Sequence, residues 1–229
     1  YYVVFSLKDY VKEGQSLKDT ILGMINIRGG GLAIYGGVIA GIIVLLIFAK
    51  KRKVSVMLML DTCSMGLLVG QILGRWGNFF NREAFGGYTD SLFAMALPVE
   101  WFGGKNYLLS IVNNGIITQE MIDHVVNIDG MEFIQVHPTF LYESLWNLGV
   151  LLIIFLYRRH KKFDGEMFAM YIWGYGLGRV WIEGLRTDSL MLPGINFKVS
   201  QLLAAICVVA ASIYIIYKRI ELKRNTITS

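Results

Sequence analysis

This sequence is poor in charge, proline and cysteine. Only 17% of its 229 residues are charged, against about 25% in soluble domains. That deficit, set beside 55% hydrophobic residues, makes lipid the expected solvent. Cys63 and Cys207 lie far apart in apolar stretches. They exclude a disulfide framework, imply no metal site, and read as small buried hydrophobes. Neither a repeat nor a low-complexity tract is present, and no signal peptide is visible.

The net charge is +5, but its placement argues against a nucleic-acid partner. Basic residues gather in Lys50–Lys53, in Arg158, Arg159, Lys161 and Lys162, and in Lys218, Arg219, Lys223 and Arg224. Each tract directly follows an apolar run, as the positive-inside rule expects of cytoplasmic loops. Five stretches, at 33–49, 56–74, 140–157, 166–185 and 199–217, are apolar nearly all round. At about 1.5 Å per residue each is long enough for the roughly 30 Å hydrocarbon core. The expected fold is therefore all-α, a polytopic transmembrane helix bundle forming one domain, with a cytoplasmic C-terminus. Residues 87–136 are expected to form a small extracytoplasmic head with turns at Asn113–Gly115 and Ile128–Gly130, and residues 6–30 a polar outer loop. Gly66, Gly70 and Gly74, Gly37 and Gly41, and Gly174 and Gly178 recur at the spacing that lets helix backbones approach closely in lipid. The opening Tyr1–Phe5 reads as the tail of an apolar segment, so a preceding span is expected.

Polar residues concentrate at the outer ends of these spans. Residues 74–86 read Gly-Arg-Trp-Gly-Asn-Phe-Phe-Asn-Arg-Glu-Ala-Phe-Gly. Arg75 and Asn78 share a face if the helix continues. Arg75 alone would read as an arginine snorkelling to headgroups, but Asn78, Asn81 and Glu83 weigh against that. Tyr175, Arg179, Glu183 and Arg186 fall on one stripe of a helix. An Arg179–Glu183 pair alone would be structural, yet an arginine inside a span is usually paired or functional. In His137–Glu143, Pro138 suits a first helical turn, leaving His137 at the mouth as a cap or a reactive group. Arg28–Gly37 puts five glycines at another outer mouth. Arginines converging at a lipid boundary suit a phosphate, because the planar guanidinium gives bidentate charged hydrogen bonds. The simplest such phosphate is a phospholipid headgroup.

The pattern Gly-Arg-x-Gly-Asn-Phe-x-Asn-x-Glu-x-x-Gly at 74–86 resembles the signature of the prolipoprotein diacylglyceryl transferase family. The likeness continues through Gly30–Gly37, His137–Glu143, Tyr175–Arg186, Thr187-Asp188-Ser189 and Gln201. The resemblance implies a fold of seven transmembrane helices, with the first and most of the second missing from this sequence. It implies a bacterial plasma-membrane enzyme that moves the diacylglyceryl group of phosphatidylglycerol to the lipobox cysteine at a prolipoprotein signal peptide, with no metal or cofactor. It makes Arg75 the headgroup-binding residue, supported by Asn78, Asn81, Glu83 and Gly86. Arg179 becomes the second essential arginine, with Tyr175, Glu183 and Arg186 around it. Many relatives carry histidine, a proposed catalytic residue, where this chain has Tyr35. A free tyrosine titrates near pH 10, against about 6.5 for histidine, so Glu183, His137 and Tyr35 all stay open as the base or orienting group. Rival readings are an anion transporter or channel, which needs polar residues at several depths, and a lipid-binding subunit without turnover.

Overall fold

A computed structural model describes residues 34–112, 116–189, 191–192 and 195–228, with 34–35, 191–192, 195–197 and 227–228 described by backbone alone. The chain divides into two units, Tyr1–Met59 and Leu60–Ser229. The first holds helix α1 (Ile34–Arg52) and the opening turn of α2 (Val56–Asn81). Lys50, Lys51 and Arg52 close the last turn of α1, where cations oppose the helix dipole. Its large side chains, among them Val38, Ile42 and Val44, are exposed. Tyr35 lies on α1 with its side chain outside the described residues, as are Arg28, the rest of the glycine segment before α1, the 6–30 loop and Asn113–Gly115.

In the second unit α2 runs on to Asn81. Next come β1 (Met95–Pro98), α3 (Lys105–Ile111), α4 (Gln119–Asp123), β2 (Val126–Ile128) and β3 (Met131–Val136). Helices α5 (Thr139–Tyr157) and α6 (Glu166–Leu185) follow, then the β4 (Met191–Leu192) and β5 (Ile195–Lys198) pair, then α7 (Val199–Thr228). All five expected apolar stretches are helical. Among the described residues, three helices are long and apolar enough to cross a membrane: Val56–Asn81, Thr139–His160 and Val199–Thr226. Exposed Leu145, Leu152, Ile206 and Ile213 suit a lipid surface far better than water. These helices mark a membrane protein.

Two boundaries differ from expectation. Residues 75–81 hold no proline and the helix tolerates the single Gly77, so α2 carries the Arg75 motif on its last two turns and stops at Arg82 and Ala84, both left-handed with φ of 54° and 56°. Likewise α7 continues through its basic tract, where Lys218 pairs with Glu221 at 2.7 Å. The all-α expectation holds for the long helices only. Residues 87–136 contain a three-stranded antiparallel sheet ordered β1-β3-β2. Its β2–β3 hairpin turns on Asp129 and Gly130, both at positive φ, with Gly130 N–H donating to Asn127 Oδ1. That is the expected turn at Ile128–Gly130, in the dipeptide that tight hairpins favour. Leu97, Ile134, Val136, Met121 and Leu108 form its buried core.

Glycines set the packing of α6. A Cβ at Gly174 would lie 2.8 Å from Val150 of α5, and one at Gly176 would lie 2.8 Å from Val208 of α7. Gly178 admits the Trp146 indole, which donates to the Gly174 carbonyl at 2.8 Å. Gly37, Gly41, Gly66, Gly70 and Gly74 differ, since a Cβ there would meet no described atom within 4 Å. Cys63 is exposed rather than buried.

At the Leu60 end of α2, Asp61 is buried and accepts from the backbone N–H of Gly165 (2.8 Å) and Phe168 (2.9 Å) and from Lys161 Nζ (3.1 Å). It caps the N-terminus of α6 from another helix, satisfying N–H groups that no intrahelical carbonyl reaches. Burial works against the Lys161 charge, but hydrogen bonding first to Asp164 and then to Asp61 holds its pKa above the ordinary value. Glu166, 1% exposed, binds Arg219 Nε at 2.8 Å and so ties α6 to α7.

Candidate active site

Three helices bring their charged residues to one point at the far end of the bundle. Arg75 of α2 places Nε 2.6 Å from Glu143 Oε2, and Arg179 of α6 donates from Nη1 to Glu143 Oε1 at 2.9 Å. Arg179 Nη2 lies 2.7 Å from Glu183 Oε2. The result is a ladder, Arg75–Glu143–Arg179–Glu183, with α5 supplying the middle carboxylate. Glu143 is 4% exposed and Glu183 3%, while the arginines keep 18% and 17%. Ions so placed among apolar helices must be paired. Oε2 of each glutamate meets its arginine as an ion pair without hydrogen-bond geometry and keeps unspent acceptor capacity.

A guanidinium has five N–H donors in a fixed fork. Arg179 commits both terminal nitrogens to carboxylates. Arg75 makes its closest approach to Glu143 through Nε, and among the described residues its two terminal nitrogens make no hydrogen bond. The partly open arginine is thus the one on the Gly74–Gly86 motif, and Glu143 fixes its orientation.

Gly86 and Gly87 join the motifs through their backbone. Gly86 N–H donates to the His137 carbonyl at 3.0 Å, Gly87 N–H to the Leu185 carbonyl at 3.1 Å, and His137 N–H to the Gly87 carbonyl at 2.9 Å. A Cβ on Gly86 would lie 2.7 Å from His137 Cβ and 2.9 Å from the Leu185 oxygen. Thr139 Oγ1 donates to the Ala84 carbonyl in the same seam. Gly86 therefore acts here by close approach of three segments.

The other expected site residues are placed as follows. Asn78 is half-buried on the last turns of α2, sharing the helix with Arg75 as expected, and its carbonyl accepts from Glu83 N–H at 3.1 Å. Asn81 and Glu83 are exposed and bind each other at 3.2 Å. Tyr175 sits one turn below Arg179 and stacks on Tyr171 with ring centroids 5.9 Å apart. His137 has Nδ1 3.3 Å from the Tyr142 hydroxyl, and its described polar partners do not include either arginine of the ladder. Pro138 is the residue before the first turn of α5, and the His137 side chain does not cap that helix.

Arg186 leaves the helical stripe. α6 ends at Leu185, and Arg186 is extended, in an isolated bridge with Gly86. The physical cause is Lys198, whose Nζ donates to the carbonyls of Glu183 (2.7 Å), Gly184 (3.1 Å) and Arg186 (2.6 Å) and so satisfies the helix end. Arg186 instead forks onto Asp188, with both contacts at 2.9 Å. Burial works to raise the Asp188 pKa, yet the Arg186 fork holds it below the ordinary carboxylate value. Burial pushes the Lys198 ammonium down, against an upward pull from Glu183.

Glu143 and Lys198 are the site residues that sequence reasoning missed. Glu143 stood in the His137–Glu143 motif, and its position as the fourth residue of the apolar stretch 140–157 was the available signal. Lys198 gave none, since its role depends on β5 folding back on α6.

Two arginines joined through one shared carboxylate, at the end of a helix bundle that includes membrane-length apolar helices, form an arrangement whose chemistry suits an anion. Known proteins narrow that class. The family model described as prolipoprotein diacylglyceryl transferase matches residues 1–217. Phosphatidylglycerol–prolipoprotein diacylglyceryl transferase of Clostridioides difficile (strain 630) is 37% identical over 225 residues, covering 98% of this chain and 73% of that protein. The protein of the same name from Clostridium botulinum (strain Langeland) is 38% identical, covering 98% of this chain and 75% of the relative. That from Streptococcus suis (strain 05ZYH33) is 39% identical, over 96% and 70% respectively. The chain belongs to the prolipoprotein diacylglyceryl transferase family.

Proposed function

We propose that this chain transfers the diacylglyceryl group of phosphatidylglycerol to the lipobox cysteine of a prolipoprotein, the first step of lipoprotein maturation. The carrying observation is the sharing of Glu143 by Arg75 and Arg179, which preorganises two guanidinium groups for one anion. The headgroup phosphate docks on the open terminal nitrogens of Arg75, beside Arg179. The substrate's sulfur then attacks the glycerol carbon that bears the phosphate oxygen. A C–S bond forms, the C–O bond breaks, and its electron pair leaves on glycerol phosphate. The thiol proton is taken by a base and ends on solvent or on the departing phosphate. Fixed positive charge opposite the leaving oxygen lowers the barrier without reorganisation. Free thiols titrate near 8.5, and the same positive field favours the thiolate.

Glu143 and Glu183 are both engaged by arginines. Glu183, His137, with Tyr142 beside one ring nitrogen, and Tyr35 remain the candidates for the base or orienting group. The basic tracts orient the bundle with the ladder toward the outer face, residues 87–136 as an extracytoplasmic head and α7 entering the cytoplasm. The five helical stretches are read as spans of a seven-helix family fold in a bacterial plasma membrane.

The test is transfer of labelled lipid from phosphatidylglycerol to a lipobox peptide in proteoliposomes. Arg75→Ala is expected to abolish transfer. Full activity in that variant sinks the headgroup role, and Tyr35→Phe at full activity removes Tyr35 from the candidate bases.

A further inference from the structure

A polar layer continues below the ion-pair ladder. One turn from Arg75, Glu143 and Arg179, toward the middle of the bundle, each helix again presents a polar side chain. These are Gln71 four residues before Arg75, Asn147 four after Glu143, and Tyr175 four before Arg179. Spacing of four keeps each on the face that its ladder partner occupies. Gln71 Nε2 donates to the Tyr171 hydroxyl at 2.9 Å, which draws α2 and α6 together at this level. Beneath lie Leu68, Val150, Ile154 and Met167, so the polar layer ends on an apolar floor. The polar layer therefore does not continue as a polar path through the bundle.

Part of its hydrogen-bonding capacity is unspent. Asn147 is 2% exposed, and its Nδ2 has no partner among the described residues. Gln71 Oε1 is a buried acceptor with no hydrogen bond among the described residues, and above it Glu143 Oε2 is met by Arg75 as an ion pair only. Buried polar atoms are ordinarily satisfied, because an unmade bond is expensive where water is absent. The layer thus holds an amide donor at Asn147 and an amide acceptor at Gln71 that have no hydrogen-bond partner among the described residues. A hydroxyl both donates and accepts, so it answers both. An ammonium has no acceptor for Asn147 Nδ2, and a phosphate oxygen has no donor for Gln71 Oε1.

The geometry points to this layer as the subsite for the hydroxyl groups of the donor's headgroup, with Asn147 and Gln71 as its specificity-determining residues. The assignment rests on the functional reading above, in which the phosphate sits at Arg75. One helical turn is about 5.4 Å, close to the reach from a phosphate to the far hydroxyl of a glycerol esterified to it. The headgroup glycerol turns inward from the arginines and exchanges its hydration for these side chains. A lipid with the same phosphate but an unhydroxylated headgroup leaves them unmatched.

The experiment compares two donors with matched acyl chains in proteoliposomes, phosphatidylglycerol and phosphatidylpropanol, with a lipobox peptide as acceptor. The wild-type chain is expected to favour phosphatidylglycerol by about tenfold or more in kcat/KM, the scale of one well-made buried hydrogen bond. Asn147→Leu is expected to bring the ratio of the two rates near one by lowering the phosphatidylglycerol rate. Gln71→Met, of similar shape, should move the ratio the same way and carries the test if Asn147→Leu fails to fold. An equal fall for both donors shows a structural role and overturns the assignment. So does a ratio unchanged by either substitution, which leaves the layer to ordered water alone. Wild-type protein that uses both donors equally sinks only this subsite, whereas protein that uses neither sinks the functional reading itself.

Discussion

Replacing Gly86 with alanine tests how the three motifs are held together. Gly86 does not adopt a positive φ, so alanine suits its backbone and only space opposes the change. The added methyl would meet His137 Cβ at 2.7 Å and the Leu185 carbonyl at 2.9 Å. Ordinary contact needs about 3.5–4 Å between carbons. The first atom is a Cβ and the second is main chain, so neither can swing away as a long side-chain end would. Relief requires the Ala84–Gly87 segment to move out by several tenths of an ångström. That strains the Gly86–His137 and Gly87–Leu185 hydrogen bonds at 3.0 and 3.1 Å. Overpacking of this kind costs about 1–3 kcal/mol, or very roughly 3–10 °C in Tm for a chain of this size. Transfer should fall further than stability, because a shift of about 1 Å near the chemistry can lose a factor of about 100. Gly87→Ala is the control, since a Cβ there meets nothing within 4 Å, and it should stay within about 0.5 kcal/mol of wild type. Thermal unfolding in detergent and lipid transfer would be measured on all three proteins. Gly86→Ala with wild-type Tm and transfer, or Gly87→Ala damaged equally, refutes the close-approach argument.

Asp61→Asn puts an amide where three donors converge, setting Nδ2 against the Gly165 N–H and the Lys161 ammonium. It should destabilise by about 1–3 kcal/mol and speed proteolysis of the Lys161–Gly165 turn, and an unchanged Tm would dismiss the capping role. The Arg186–Asp188 clip should respond to acid in one direction. The folded pKa of Asp188 lies below its ordinary 3.8, so the clip's stabilisation is complete above about pH 4 and is lost as pH falls through the lower folded value. Comparing Tm against pH for wild type and Asp188→Asn checks this. The curves should converge in strong acid, and a constant offset down to pH 2 contradicts it.

Much of this was legible in the sequence. Uniformly apolar runs gave the long helices, because lipid-facing helices need no amphipathic pattern. Arg75 and Arg179 stood out because an arginine inside an apolar span demands a partner. The partner itself was hidden. Glu143 serves arginines 68 residues before it and 36 after it in the sequence, and only helix packing brings them together. Asp61 was equally opaque, since a helix cap is normally sought next to its helix and not on another one. The 166–185 stretch ends where α6 ends, but the Tyr175–Arg186 stripe ran one residue past it, and Lys198, which holds the helix end from a distance, could not be read in advance. The sheet within residues 87–136 was missed because its strands are of only three to six residues, too short for alternation to register.

The ladder has a further consequence for how the enzyme meets its substrate. Arg75 and Arg179 are balanced by Glu143 and Glu183, so the four groups sum to no net charge and project little field beyond a few ångströms. Long-range steering, which draws charged ligands from bulk water and fades with salt, contributes little here. Free phosphate and chloride gain nothing until they enter the site, and such ions have no hydrophobic body to hold them there. A lipid arrives already confined to two dimensions and anchored by its chains. Charge neutrality thus favours anions delivered by lateral diffusion in the bilayer over anions from solution, and leaves capture nearly indifferent to ionic strength.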